Sequence, residues 1–172
     1  DVLALENLLQ LKDENLNQLK NSVASALLGF TGEGLTVEQR DGKLYVSLEN
    51  SLLFASGSWT VNEMGKQAIN ELAKVLAKQT DLQIMVEGHT DDVPYNGSGI
   101  IKDNWDLSVM RATAIVRVLS NNKGLDAKKI TAAGKGPYSP LVENNSPDNR
   151  AINRRTEIIL SPNMDELMNL LD

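Results

Sequence analysis

At 172 residues, with 41% apolar and 23% charged side chains, the chain has the make-up of one ordinary globular domain plus an appendage. A net charge of −6 argues against a nucleic-acid partner, because phosphates select basic surfaces. There is no cysteine, which excludes disulfides and thiol catalysis, and no apolar run long enough to span a membrane. Charge is uneven along the chain: residues 1–60 carry four Lys/Arg against eight Asp/Glu, whereas residues 101–160 carry ten against six. An anion site is therefore expected in the second half. The chain begins at Asp1 without methionine or leader, which reads as a piece of a longer protein. Any membrane attachment is then expected through a segment outside it.

Residues 1–30 carry a heptad pattern, with Val2, Leu5, Leu9, Lys12, Leu16, Leu19, Val23, Ala26 and Phe30 at a and d positions. The pattern predicts a coiled-coil-type spacer that pairs two chains through residues 2–30. The alternative is a helix folded back onto the domain. Gly29, Gly32 and Gly34 then mark a junction. "LTVEQ" (35–39) and "KLYVSL" (43–48) alternate as strands around Asp41-Gly42, which predicts a hairpin. After "FASGS", the spacing of Val61, Met64, Ala68, Leu72, Val75 and Leu76 predicts a helix to about Lys78. "LQIMVEGH" (82–89) is a strand, "NWDLSVMRATAIVRVL" (104–119) a helix, and "KITAAG" (129–134) and "RRTEIIL" (154–160) are strands. In the tail, Asn163 and Glu166 have capping-box spacing, and Met164, Leu167, Met168 and Leu171 share one helical face.

Helices alternating with strands predict an α/β (α+β) fold, a two-layer sandwich of helices on a mixed sheet. The expected units are a spacer over 1–30, the main domain over 31–162 and a C-terminal amphipathic helix over 163–172. A crossover helix between 82–89 and 129–134 makes those strands parallel, and ligands in such sheets bind beyond the C-terminal strand ends. The polar loop "HTDDVPYNGSGIIKD" (89–103) sits at that end.

One residue in the 104–119 helix is out of place. Arg111 falls inside the apolar stripe formed by Leu107, Met110, Ala114, Ile115 and Val118. Arginine keeps its charge, so on a buried stripe it needs a negative partner. Asp91, at the end of the preceding strand, is within reach, which allows a purely structural ion pair. The long polar loop favours a second reading. An aspartate, an arginine and free helix-terminal amides together make a pocket for a zwitterion, the carboxylate held in bidentate fashion.

"GHTDDVP", "NWDLSVMRATAIVRVL", "ITAAGKGPYSP" and "NRRTEI" together resemble the OmpA-like peptidoglycan-binding domain, in its MotB-like branch, over about residues 35–160. The resemblance implies an OmpA-like sandwich that binds peptidoglycan non-covalently, through the meso-diaminopimelate of its stem peptide. It implies no cofactor and no catalysis. It also implies a place in the periplasm of a Gram-negative envelope, as a passive wall anchor or as the periplasmic domain of a motor stator. Matched residue by residue, Asp91 receives the ammonium of diaminopimelate and Arg111 its carboxylate. Asn104, Leu107 and Arg154 border the ligand, as do Thr90 and Val93 in the loop. The chain departs from the pattern at Ala55, where many members carry aspartate, and Asp92 is the candidate to compensate.

Other chemistry finds less support. Glu87, His89 and Asp91 alternate along one strand, an uncommon arrangement for a metal site, so no metal is expected. Ser108 has no base placed to activate it. Core or rim packing is the expected role of Trp59 and Trp105. Arg155 is expected to be a structural ion-pair partner.

Overall fold

The computed structural model describes residues 1–32, 34–97 and 99–172. Glu33, in the expected junction, and Ser98, in the expected ligand-end loop, lie outside them. The hairpin forms with β1 (Leu35–Arg40) and β2 (Lys43–Glu49). Arg40 faces Lys43, and Asp41 and Gly42 take positive φ values of 52° and 73°, as a two-residue turn requires. β3 (Leu82–His89), β4 (Ile130–Gly134) and β5 (Arg155–Pro162) complete a sheet of order β1-β2-β5-β3-β4. β3 and β4 run parallel, as the crossover predicts, and the other neighbours are antiparallel.

Alternation decides which face is covered. Leu44, Val46 and Leu48 of β2, Ile84 and Val86 of β3, and Ile158 and Leu160 of β5 point to one side and are buried. There they meet the apolar faces of α1 (Val2–Ala26), α3 (Glu63–Leu76) and α4 (Asn104–Leu119) in a single core. This is the expected two-layer α/β sandwich.

The N-terminal helix is divided. Leu16, Leu19, Val23 and the following Leu27 are buried in the main core. Each contributes about 2 kcal/mol of burial, enough to hold that half of α1 against the domain. Residues packed inward cannot also form a seam with another chain, so the spacer expected over 1–30 is realised at most over the first half. That half carries Val2, Leu3, Leu9 and Leu11 in exposed positions. Lys12, the break in the heptad pattern, marks the transition, its Nζ 2.9 Å from the Asp81 carboxylate.

Two further elements escape the periodicity, and the predicted tail helix forms with a different start. α2 (Asn50–Leu53) is a single turn after β2. α5 (Pro147–Asn153) lies in the Pro/Asn/Ser-rich stretch, with Ser146 accepting from the Asn149 amide and proline in its first turn. α6 (Asp165–Leu171) begins without the expected capping box, because Asn163 accepts from the Asp165 amide instead. Of its predicted apolar face only Leu167 is buried, since α6 has little more than α1 to lie against. Met164, Met168 and Leu171 remain exposed.

Two glycines set how closely α4 approaches the sheet. A Cβ on Gly88 of β3 would overlap the Ser108 carbonyl, and one on Gly134 of β4 would overlap Ser108 and Val109. Both strands therefore offer bare backbone where the second turn of α4 rests. The buried Ser108 hydroxyl donates to the Trp105 carbonyl and accepts from the Gly136 amide, at 2.9 and 3.0 Å. The loop after β4 is thereby tied to the helix that carries Arg111.

Candidate functional site

At the C-terminal end of β3, beside the start of α4, lies a cavity of about 650 Å³. Thr90, Asp91, Val93, Asn104, Leu107, Arg111 and Arg154, all seven expected site residues, line it. Residues 90–95 leave the sheet here. The Asp91 Oδ1 accepts from the Val93 amide at 3.0 Å, and the Asn104 side-chain amide donates to the Val93 carbonyl at 3.0 Å. These bonds fix the loop to the first turn of α4. Thr90 donates its backbone N–H to the Gly136 carbonyl and its hydroxyl to the Asp91 carbonyl, each at 2.9 Å.

The ion pair differs from the simplest expectation. Asp91 Oδ2 lies 2.6 Å from an Arg154 terminal nitrogen, so Arg154, not Arg111, neutralises Asp91. Arg111 forms no ion pair among the described residues although it is only 5% exposed. Its Nε donates to the Ser58 carbonyl at 2.9 Å, and its guanidinium lies over the Phe54 ring, 5.3 Å from the centroid. Its terminal nitrogens have no hydrogen-bond acceptor within the protein among the described residues and are not sealed from the cavity. Burial, reinforced by repulsion from Arg154, lowers its pKa from the ordinary guanidinium value to about 10, against the opposing pull of Tyr95 and Asp91. A guanidinium so placed is a fork awaiting an anion.

Two other expectations are corrected. Asp92 does not compensate for Ala55: Ala55 lines the cavity, whereas Asp92 accepts from Arg150 Nε at 3.1 Å. The start of α4 offers fewer free amides than supposed, because the Asp103 side chain accepts from the Asp106 amide. The anion-binding role thus falls on the arginine.

Sequence reasoning missed Ser58, Asn50 and Tyr95. Ser58 acts through its carbonyl, which no side-chain pattern reveals. Asn50 and Tyr95 line the cavity from α2 and from the loop. Asn50 is buried beneath it, receiving the Thr156 hydroxyl and donating to the His89 carbonyl, both at 3.4 Å. Trp105 is half exposed, does not line the cavity, and packs against Tyr138 with the rings tilted by 34° and their centroids 5.0 Å apart. Trp59 is half-buried and does not line the cavity.

A second charged group sits on the opposite sheet face. His89 Nε2 lies 2.8 Å from Glu87 and 4.0 Å from Glu157. Asp91, the third ligand the strand pattern allows, is instead turned to Arg154. Glu157 is paired with Arg155 at 2.8 Å, and Arg155 also donates to the Asn153 and Ser139 carbonyls, the structural role expected of it. His89 Nδ1 is buried without a partner. A metal on Nε2 would require Nδ1 to carry a proton that no acceptor receives, so the donor set does not suit an ion. The hydrogen bond between His89 Nε2 and Glu87 holds the Glu87 carboxyl below its usual 4.5 despite burial.

Comparison with known proteins decides the family. A model of the OmpA family matches residues 53–154, more than half of the chain and all but one turn of the cavity. The chain belongs to the OmpA family. This OmpA-family chain is 34% identical over 119 residues to Motility protein B of Bacillus subtilis, covering 69% of the chain and 45% of that protein. It spans about half the length of the curated relatives it matches. Among solved structures it is similar to a MotB-like protein from Desulfovibrio vulgaris, with a TM-score of 0.81, 25% identity and coverage of 92% of this chain and 99% of that one. It is also similar to the cell wall anchor of the T6SS from Pseudomonas aeruginosa, with a TM-score of 0.73, 30% identity and coverage of 81% and 96%.

Proposed function

We propose that the domain binds peptidoglycan non-covalently and anchors a longer envelope protein to the wall. The observation that carries this reading is the buried Arg111 fork, without an ion pair among the described residues, sharing one cavity with the Asp91 carboxylate. The ligand that answers both groups carries an ammonium and a carboxylate on one carbon, as the free end of meso-diaminopimelate in a stem peptide does. Asp91 takes the ammonium and Arg111 the carboxylate, while Asn104, Leu107, Thr90, Val93 and Arg154 shape the cavity around them. Membership of the OmpA family, and similarity to a protein described as a cell wall anchor, support the wall as the polymer bound. The domain works by binding rather than by catalysis. Ser108, the serine weighed from the sequence as a nucleophile, has its hydroxyl engaged with two backbone groups. The setting is the periplasm. Co-sedimentation with purified peptidoglycan sacculi tests the reading: the parent pellets with the sacculi and a folded Arg111→Ala variant does not. Equal pelleting of the two would overturn it.

The similarity to Motility protein B favours, as a second reading for the whole protein, the wall-binding domain of a motor stator. The pocket chemistry is common to both. Pairing of two chains belongs to the exposed start of α1, where the heptad positions Val2, Leu5 and Leu9 stay out of the core. So short a seam is weaker than the three to four heptads, roughly, that a coiled coil needs. Dimers are therefore expected only at high concentration and to disappear in Leu9→Asp. Sedimentation showing a monomer at every concentration would reject pairing.

A further inference from the structure

Asp91 and Arg111 face one cavity with unequal commitments. Both Asp91 oxygens are engaged, Oδ1 by the Val93 amide and Oδ2 by Arg154. An ammonium arriving there meets a carboxylate already half neutralised. Arg111 is the reverse case. Ser58 holds its Nε and fixes the plane, and its two terminal nitrogens make no hydrogen bond or ion pair among the described residues, because the one carboxylate lining the cavity, Asp91, is taken by Arg154. With alanine at position 55, the charged side chains lining the cavity, among the described residues, are one carboxylate and two guanidiniums. The empty site is therefore short of negative charge.

We propose that this site reads the carboxylate of its ligand more stringently than the ammonium, and that Arg111 makes it discriminate a free diaminopimelate carboxylate from the corresponding primary amide. This rests on the reading of the cavity as a diaminopimelate site. A carboxylate accepts two parallel N–H bonds from the fork and cancels its charge. A carboxamide offers one acceptor oxygen, turns an NH₂ donor toward a guanidinium donor, and leaves the buried charge uncompensated. Sites built around a buried polar group reject analogues that leave it unpaired far better than apolar pockets reject a change of size.

The test is a calorimetric titration of the chain with three versions of the tetrapeptide L-Ala-γ-D-Glu-meso-diaminopimelate-D-Ala. One has the distal carboxyl free, one has it as the primary amide, and one keeps the carboxyl but lacks the distal amino group. The amide is expected to bind at least about 30-fold more weakly than the free acid, the range of a lost charge-assisted pair, and the deamino form only several-fold more weakly. Arg111→Gln should bring acid and amide to near equality, and Arg111→Lys, which keeps the charge without the fork, should retain an intermediate preference. Acid and amide binding alike to the parent, or the deamino form losing more than the amide, would overturn the proposal while leaving wall binding intact. Failure of all three peptides to bind a folded parent would sink both.

Discussion

Replacing Arg111 by methionine separates the cost of a buried charge from its use. A guanidinium whose pKa has fallen from its ordinary value to about 10 has its charged form disfavoured by about 3 kcal/mol relative to water. Methionine removes that cost and fills much of the same volume. It forfeits the bond to the Ser58 carbonyl, about 1.5 kcal/mol for a charged donor, and the contact with the Phe54 face, about 0.5–1 kcal/mol. The ligand-free variant is therefore expected to be more stable than the parent by about 1 kcal/mol, while losing peptidoglycan binding. Urea unfolding followed by far-UV circular dichroism, at equal slope, measures the difference. A loss of about 3 kcal/mol or more would refute the reasoning, because that is what breaking one half of a buried structural pair costs. Arg111 would then be a structural ion whose partner is Asp91.

Gly88→Ala pushes a methyl group into the Ser108 carbonyl and displaces the second turn of α4, so it should cost about 2–3 kcal/mol in thermal or urea unfolding and weaken wall binding with it. The Glu87 carboxyl is held below its usual 4.5, chiefly by the hydrogen bond from His89, with Lys135 and Arg155 also facing it. A lowered carboxyl stabilises the fold above its ordinary pKa and ceases to do so as pH falls through the lowered value. Glu87→Gln should accordingly flatten the acid limb of a stability–pH curve below about pH 4.5 and leave wall binding unchanged. An unaltered acid limb would remove Glu87 from the account.

The sheet and its two long packed helices were legible because their apolar residues repeat with the period of the element. β3 and α4 were placed to the residue, and the parallel β3–β4 pairing follows from the helix between them. The site was legible for a different reason: Arg111 violates the stripe it sits on, and a violation inside a consistent pattern marks a functional position. What stayed hidden depends on tertiary contacts. Heptad spacing in α1 is the same whether Leu16, Leu19 and Val23 face a second helix or the domain, and only packing chooses. Asp91 lies near both arginines in sequence logic, yet the chain returning through α5 brings Arg154 to it and leaves Arg111 free. The Ser58 carbonyl that orients Arg111 carries no side-chain signature. α5 was missed because a seven-residue helix is shorter than two turns of reliable periodicity, whereas the tail helix formed without the expected capping box.

The most direct measurement is a calorimetric titration of the chain with meso-diaminopimelate, repeated on Asp91→Ala and Arg111→Ala variants shown to be folded. The account predicts one-site binding by the parent, its loss in Arg111→Ala and a several-fold weakening in Asp91→Ala. Binding that survives in Arg111→Ala, or a folded parent that does not bind, would contradict it.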